Sequence, residues 1–158
     1  MNLIIKKVNE NNYKEIVNLK VAKGQENYIE TVEACLEEAK EYSVWNPVGI
    51  YDKEKPVGFA MYGLFLEEGD NGRVWLDRFL ISAENQGMGY GKTAVKFLID
   101  HLYKGYGYDE VYLSVYEDNK NAINLYKELG FKFNGEDDVN GEKVMVINFK
   151  SKVDNNEQ

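Results

Sequence analysis

An α/β fold, with a mixed and mostly antiparallel central sheet flanked by about four helices, is predicted by three observations. First, the run Arg-Val-Trp-Leu-Asp-Arg-Phe-Leu-Ile at 73–81 is apolar and β-prone. It leads into Gln86-Gly87-Met88-Gly89-Tyr90-Gly91-Lys92, after which the apolar period turns helical at Ala94, Val95, Leu98 and Leu102. Second, Val48 to Tyr51 and Val57 to Phe65 flank a polar turn at 52–55, and Asn140-Gly141 precedes a strand over Lys143 to Phe149. Both read as hairpins. Third, Ile29, Val32, Leu36 and Ala39 form a helical stripe, and a further helix ends at Leu129 with Gly130 behind it.

In chain order, residues 3–8 form a first strand, and Asn11 or Asn12 caps a helix reaching about Lys20, before Gly24. The second helix spans Ile29 to Tyr42, with an acidic stripe of Glu30, Glu33, Glu37 and Glu41. That stripe is either a solvated face or the rim of a pocket for a polycation. Val44-Trp45-Asn46-Pro47 is a break, the first hairpin follows, and Glu67 to Gly72 loops into the strand at 73–81. The helix after the glycine turn ends across Gly105 to Asp109. Val111 to Val115 is a strand, Asp118 or Asn119 caps the next helix, and Phe131 to Phe133 begins the closing pair of strands. The predicted order is β-α-α-β-β-β-α-β-α-β-β. Residues 1–150 read as one domain and 151–158 as a polar tail.

Composition excludes several classes. Nineteen Lys and Arg against twenty-seven Asp and Glu give a net charge of −8, which opposes nucleic-acid binding and attracts a cationic substrate. No 18-residue apolar run exists, so no membrane span or membrane partner is expected. The N-terminus is unlike a secretory signal, and the lone Cys35 cannot form an internal disulfide; a reducing cytoplasm is the expected setting. Neither Cys35 nor His101 sits in a Cys/His motif, and structural roles are expected for both.

A strand, a glycine-rich turn and a helix aim backbone N–H groups and a helix N-terminus at an anion, so a phosphate-bearing ligand is expected at 86–92. A Walker loop is absent, since one residue separates Gly89 from Gly91. The dinucleotide pattern would need glycine at Lys92. The spacing that fits is Gln-x-x-Gly-x-Gly, at Gln86, Gly89 and Gly91. This resembles the acyl-CoA diphosphate loop of the GNAT superfamily of N-acetyltransferases. A second match lies downstream: Asn119 to Phe131 resembles that family's N-x-x-A-x-x-L-Y-x-x-x-G-F signature, with Ala122, Leu125, Tyr126 and Gly130 in register. The element order is also that of the GNAT fold. The strand RVWLDRFLI, the start Trp45-x-Pro-Val-Gly and the Asn140-Gly-Glu-Lys turn look like bacterial spermine/spermidine (diamine) acetyltransferases.

The resemblance implies direct acetyl transfer from acetyl-CoA, without a metal, to a primary amine of a polyamine or diamine. It implies that Gln86, Gly87, Met88, Gly89, Tyr90, Gly91 and Lys92 hold the diphosphate, that the backbones of Phe79, Leu80 and Ile81 hold the pantetheine arm and acetyl carbonyl, and that Asn119 contacts CoA. In relatives the strand carrying residues 79–81 splays from its neighbour, and dimerisation through the C-terminal strands is common. Tyr126 is the implied general acid: a phenol of pKa about 10 stays protonated and can return a proton to a thiolate of about 8.5. Asp77 shares a strand face with Trp75 and Phe79. It is a candidate to bind the ammonium or relay its proton, with Trp75 giving a cation–π contact; the plain alternatives are pairing with Arg78 and burial in the core. Glu26 and Glu30 are further acceptor candidates. Other acceptors (an aminoglycoside, an amino acid, a protein N-terminus) and a non-catalytic acyl-CoA sensor remain alternatives.

Overall fold

The structure is a computed structural model that describes residues 1–150; the tail expected at 151–158 lies outside the described residues. The element order is β1 (Leu3–Lys7), α1 (Tyr13–Val17), α2 (Val32–Glu41), β2 (Asn46–Asp52), β3 (Lys55–Phe65), β4 (Arg73–Ile81), a 3₁₀ turn at Ala83–Asn85, α3 (Tyr90–Tyr106), β5 (Glu110–Val115), α4 (Lys120–Leu129), β6 (Lys132–Asp137) and β7 (Lys143–Asn148). The seven strands form one sheet in the order β1-β2-β3-β4-β5-β7-β6. The pairs β1/β2, β2/β3, β5/β7 and β6/β7 are antiparallel. β4 and β5 run parallel and pair Val74 with Val111 and Trp75 with Tyr112, after which β4 continues to Ile81 and β5 to Val115. The predicted order and sheet class therefore hold. Among the described residues no helix is long and apolar enough to cross a membrane.

The first two helices are shorter than their sequence patterns. α1 ends at Val17, and Asn12 does not cap it. Its Oδ1 instead accepts from Asn9 N–H (2.8 Å) and its Nδ2 donates to the Lys7 carbonyl (2.9 Å), so the side chain closes the turn after β1. α2 starts after Thr31 rather than at Ile29, because the Thr31 hydroxyl accepts from Ala34 N–H at 3.1 Å. Gly105 lies inside α3 rather than ending it; Gly107 takes the left-handed conformation, φ +73°, and donates to the Tyr103 carbonyl. Gly130 ends α4 as expected, with φ +108°.

The chain divides into two compact units, one of 1–63 with 76–97, the other of 64–75 with the chain from 98 onward. In the first, Leu80 of β4 packs with Ile16, Val32, Cys35, Leu36, Tyr51, Phe59 and Met61. In the second, Leu98, Leu102, Val111, Leu113, Ile123, Phe131, Val144, Met145 and Ile147 are buried. β6 is at the sheet edge with all six residues exposed, and its ladder with β7 shifts register between Phe133 and Asp137. Arg73 pairs with Glu136 and Lys143 with Asp137, both at 2.9 Å.

Two glycines separate close packing from open space. A Cβ on Gly58 would lie 2.5 Å from the Leu80 carbonyl oxygen, a backbone atom, whereas a Cβ on Gly105 meets nothing within 4 Å. Gly58→Ala is expected to cost about 1–3 kcal/mol in thermal denaturation. Gly105→Ala is expected to stabilise by up to about 1 kcal/mol, because it removes backbone freedom without a clash.

Candidate active site

β4 runs directly into the glycine loop. Ser82 N–H donates to the Val57 carbonyl at 2.9 Å, and the buried Ser82 hydroxyl lies 2.6 Å from Asn85 Oδ1. These contacts shape the 3₁₀ turn at Ala83–Asn85. Gln86 then reaches back, its Nε2 donating to the Ile81 carbonyl (2.9 Å) and to Gln25 Oε1 (2.9 Å). Gly87 (φ +80°) and Gly89 (φ +83°) are left-handed, and a Cβ at Gly87 would meet nothing. α3 begins at Tyr90, and the bond that closes its first turn runs from Thr93 N–H to the Gly89 carbonyl at 3.4 Å. The N–H groups before Thr93 have no carbonyl one turn back within the helix, which is the arrangement an anion uses. The Tyr90 hydroxyl donates to Asp52 at 2.6 Å, which anchors the helix start to the end of β2. Met88 is exposed at the loop tip. Thus the side chains of Gln86 and Tyr90 are engaged within the protein, and the loop offers its backbone.

Along β4, Val74, Leu76 and Leu80 are buried on one parity, and Trp75, Asp77 and Phe79 are half-buried on the other. Arg78 interrupts the buried parity. Its guanidinium pairs with Asp77 and also reaches Glu30 at 3.3 Å and Glu38 at 3.4 Å. Burial opposes the charge on Arg78, and Asp77, Glu30, Cys35 and Glu38 around it more than offset that, so its pKa lies above the ordinary value. Asp77 and Glu30, both candidates for the acceptor amine, are thus joined through one guanidinium. Glu26 is separate, its carboxylate accepting from Gly24 N–H at 2.7 Å. Glu33 and Glu41 are exposed and Glu37 pairs with Lys40, so that part of the acidic stripe is a solvated face.

In the second unit, Trp75 packs at 5.4 Å against Tyr112, over whose ring the Arg73 guanidinium lies at 4.4 Å. The Trp75 indole Nε1 is buried without a hydrogen bond of ordinary length among the described residues, yet lies close enough to Glu68 to act on its carboxyl. Burial raises the Glu68 pKa, while Trp75 and Arg73 pull it back. Tyr126 lies in the second half of α4, half-buried and edge-on to Phe131 at 5.7 Å. Burial, and then the negative charge of Glu142, push its phenol up to about 12. Asn119 occupies the N-cap position of α4 but makes no side-chain capping bond, so helix capping does not use its amide.

Three contributors were not evident in the sequence, Gln25, Glu38 and Glu68, whereas the pairing of Asp77 with Arg78 was one of the plain alternatives and is the one present. Only Arg78 carried a local signal, since a cation on the inward parity of β4 between Leu76 and Leu80 requires carboxylates from elsewhere.

Arg78→Met leaves Asp77, Glu30 and Glu38 together without their cation, and is expected to lower stability in urea unfolding by on the order of 2–3 kcal/mol. Cys35 is fully buried, and burial pushes its thiol up to about 11 against the opposing pull of Arg78. Its alkylation by iodoacetamide at pH 8 is expected to be on the order of a hundredfold slower than that of free cysteine, until the protein unfolds.

Comparisons with known proteins bear on this geometry. The profile of the Acetyltransferase (GNAT) family matches residues 5–131. The "Probable spermine N(1)-acetyltransferase" of Bacillus subtilis subsp. natto and the "Spermine/spermidine N(1)-acetyltransferase" of Bacillus subtilis (strain 168) are each 51% identical over 149 residues, covering 92% of this chain and 98% of theirs. Among solved structures, spermidine N-acetyltransferase from Vibrio cholerae in complex with CoA and spermine aligns with a TM-score of 0.73 at 20% identity, over 96% of this chain and 98% of that one. The aminoglycoside acetyltransferase AAC(6')-Ib with ribostamycin and coenzyme A gives 0.79 at 16% identity, over 97% of each. At those identities the two likenesses show the fold alone. Profile and relatives agree with the glycine loop and the α4 signature: the chain belongs to the acetyltransferase (GNAT) family.

Proposed function

We propose that this acyltransferase moves the acetyl group of acetyl-CoA directly to a primary amine of a small polyamine or diamine such as spermine or spermidine. The observation that carries the reading is the conformation of residues 86–92, where two left-handed glycines open into the first turn of a long helix. That conformation suits a diphosphate, which the backbone N–H groups bind while the helix N-terminus offsets its charge. A thioester bound there supplies the activated acyl group. The backbones of Phe79, Leu80 and Ile81, at the end of β4 that leads into the glycine loop, hold the pantetheine arm. Asn119 is assigned to CoA, consistent with an amide that does not cap its helix.

The amine attacks only once it has lost a proton. Asp77, with Glu30 beside the same guanidinium, is assigned to bind the ammonium and receive that proton through water. Trp75 lines the acceptor, and Glu26 adds a carboxylate on the chain before α2. Tyr126 returns a proton to the thiolate as it leaves, because its phenol is held protonated far above neutral pH. Cys35 takes no part, since its thiol is buried and stays protonated. The acceptor assignment draws on the two Bacillus relatives named for spermine or spermidine and on the net charge of −8.

A thiol-release assay over an amine panel tests the whole reading. Turnover is expected with spermine or spermidine and not with kanamycin, a free amino acid or a peptide N-terminus. Release with another amine and not with polyamines overturns the acceptor; release with none, despite CoA binding, favours a sensor.

Tyr126→Phe is expected to lower kcat by about a hundredfold with little change in acetyl-CoA affinity. The direction of the pH effect follows from the raised phenol. The protonated form is the active one, so a raised pKa carries any loss of the acid upward. The kcat profile should therefore rise as the amine deprotonates and show no falling limb through pH 10. A falling limb below pH 10 that persists in Tyr126→Phe would contradict the assignment of the acid; one that vanishes there would keep Tyr126 as the acid and contradict only its raised pKa.

A further inference from the structure

Gln25 lies before α2, sixty-one residues from Gln86, yet the two side-chain amides face one another and exchange two hydrogen bonds. Gln25 Nε2 donates to Gln86 Oε1 at 3.2 Å, and Gln86 Nε2 donates to Gln25 Oε1 at 2.9 Å. Each amide has one donating and one accepting end, so the pair works only when both are turned correctly. The backbone sets both orientations. Ala22 N–H donates to Gln25 Oε1 at 3.2 Å, which places oxygen there. The Ile81 carbonyl accepts from Gln86 Nε2 at 2.9 Å, which places nitrogen there. Turning either amide over would set two donors or two acceptors against each other. A second tie runs alongside, from Ala83 N–H to the Lys20 carbonyl at 2.7 Å. Both amides are half-buried, where a lost partner costs more than at the open surface.

We infer that Gln25 is a positioning residue for the acyl donor: through the amide pair it holds Gln86, and with it the start of the left-handed Gly87–Gly89 turn, in the conformation that receives the diphosphate. It touches no reacting atom. The inference rests on the proposal that CoA binds at 86–92. Gln25 also sits between Gly24 and Glu26, which are joined by the 2.7 Å bond from Gly24 N–H to the Glu26 carboxylate. The segment that carries an acceptor candidate is therefore the one that clasps the donor loop.

The test measures CoA dissociation constants for the whole protein and for Gln25→Leu, Gln86→Leu and the double variant, together with steady-state kinetics and thermal midpoints. Each single substitution is expected to weaken CoA about tenfold, and the double variant to weaken it little further, since the two side chains act as one contact. Gln25→Leu should raise the KM for acetyl-CoA by the same factor while kcat stays within about twofold and the thermal midpoint falls by only a few degrees; a purely structural role would not split KM from kcat. If Gln25→Leu does not fold, Gln25→Glu serves: it keeps both accepted bonds but sets a carboxylate oxygen against Gln86 Oε1, where the wild-type amide donates. It should weaken CoA by at least about tenfold. Wild-type affinity in Gln25→Leu or in Gln25→Glu, or additive losses in the double variant, overturns the inference. Absence of CoA binding by the unsubstituted protein is a different result: it removes the donor site, and this inference with it.

Discussion

A guanidinium on the inward parity of β4 is the constraint from which much of the first unit follows. Arg78 stands where the alternation of the strand calls for an apolar side chain. An unmatched cation there would cost several kcal/mol, so carboxylates must be brought to it. They come from three places: Asp77 next door, Glu30 ahead of α2, and Glu38 on α2 itself. The same requirement places Cys35 against a charged network instead of in a plain apolar core. Two of the carboxylates assigned to the amine are thereby held at a fixed spacing. On the proposed reading, a cationic substrate would meet acids already arranged around one guanidinium, rather than two mobile side chains.

Features set by neighbours in the chain could be read from the sequence. Gly130 could be placed as the left-handed end of α4 because a helix terminus needs that conformation. The limits of β4 were plain, since turn residues bound an apolar run on both sides. Local competition misled at α1 and α2, where Asn12 and Thr31 each bond the backbone in a way that spacing alone does not distinguish. Long-range pairing could not be read at all. Nothing near Gln86 announces Gln25, and nothing near Arg78 announces Glu38. These contacts exist because the sheet brings distant segments together, and a single sequence has no term for that.

In the glycine loop the backbone is the part proposed to meet the diphosphate, and the side chains of Gln86 and Tyr90 are spent on Gln25, the Ile81 carbonyl and Asp52. Anchored on both sides, the intervening backbone loses little further freedom when a ligand arrives, and that lowers the entropic cost of binding.

The sheet margin at β6 has a different consequence. A strand exposed along its whole length offers unpaired N–H and carbonyl groups to any other chain that drifts past. Here the register slip after Phe133 bends the ribbon, and two acids engaged by Arg73 and Lys143 occupy its far end. A backbone trying to stack there would find a kink and two paired acids in place of a flat template, which disfavours edge-to-edge growth of the sheet.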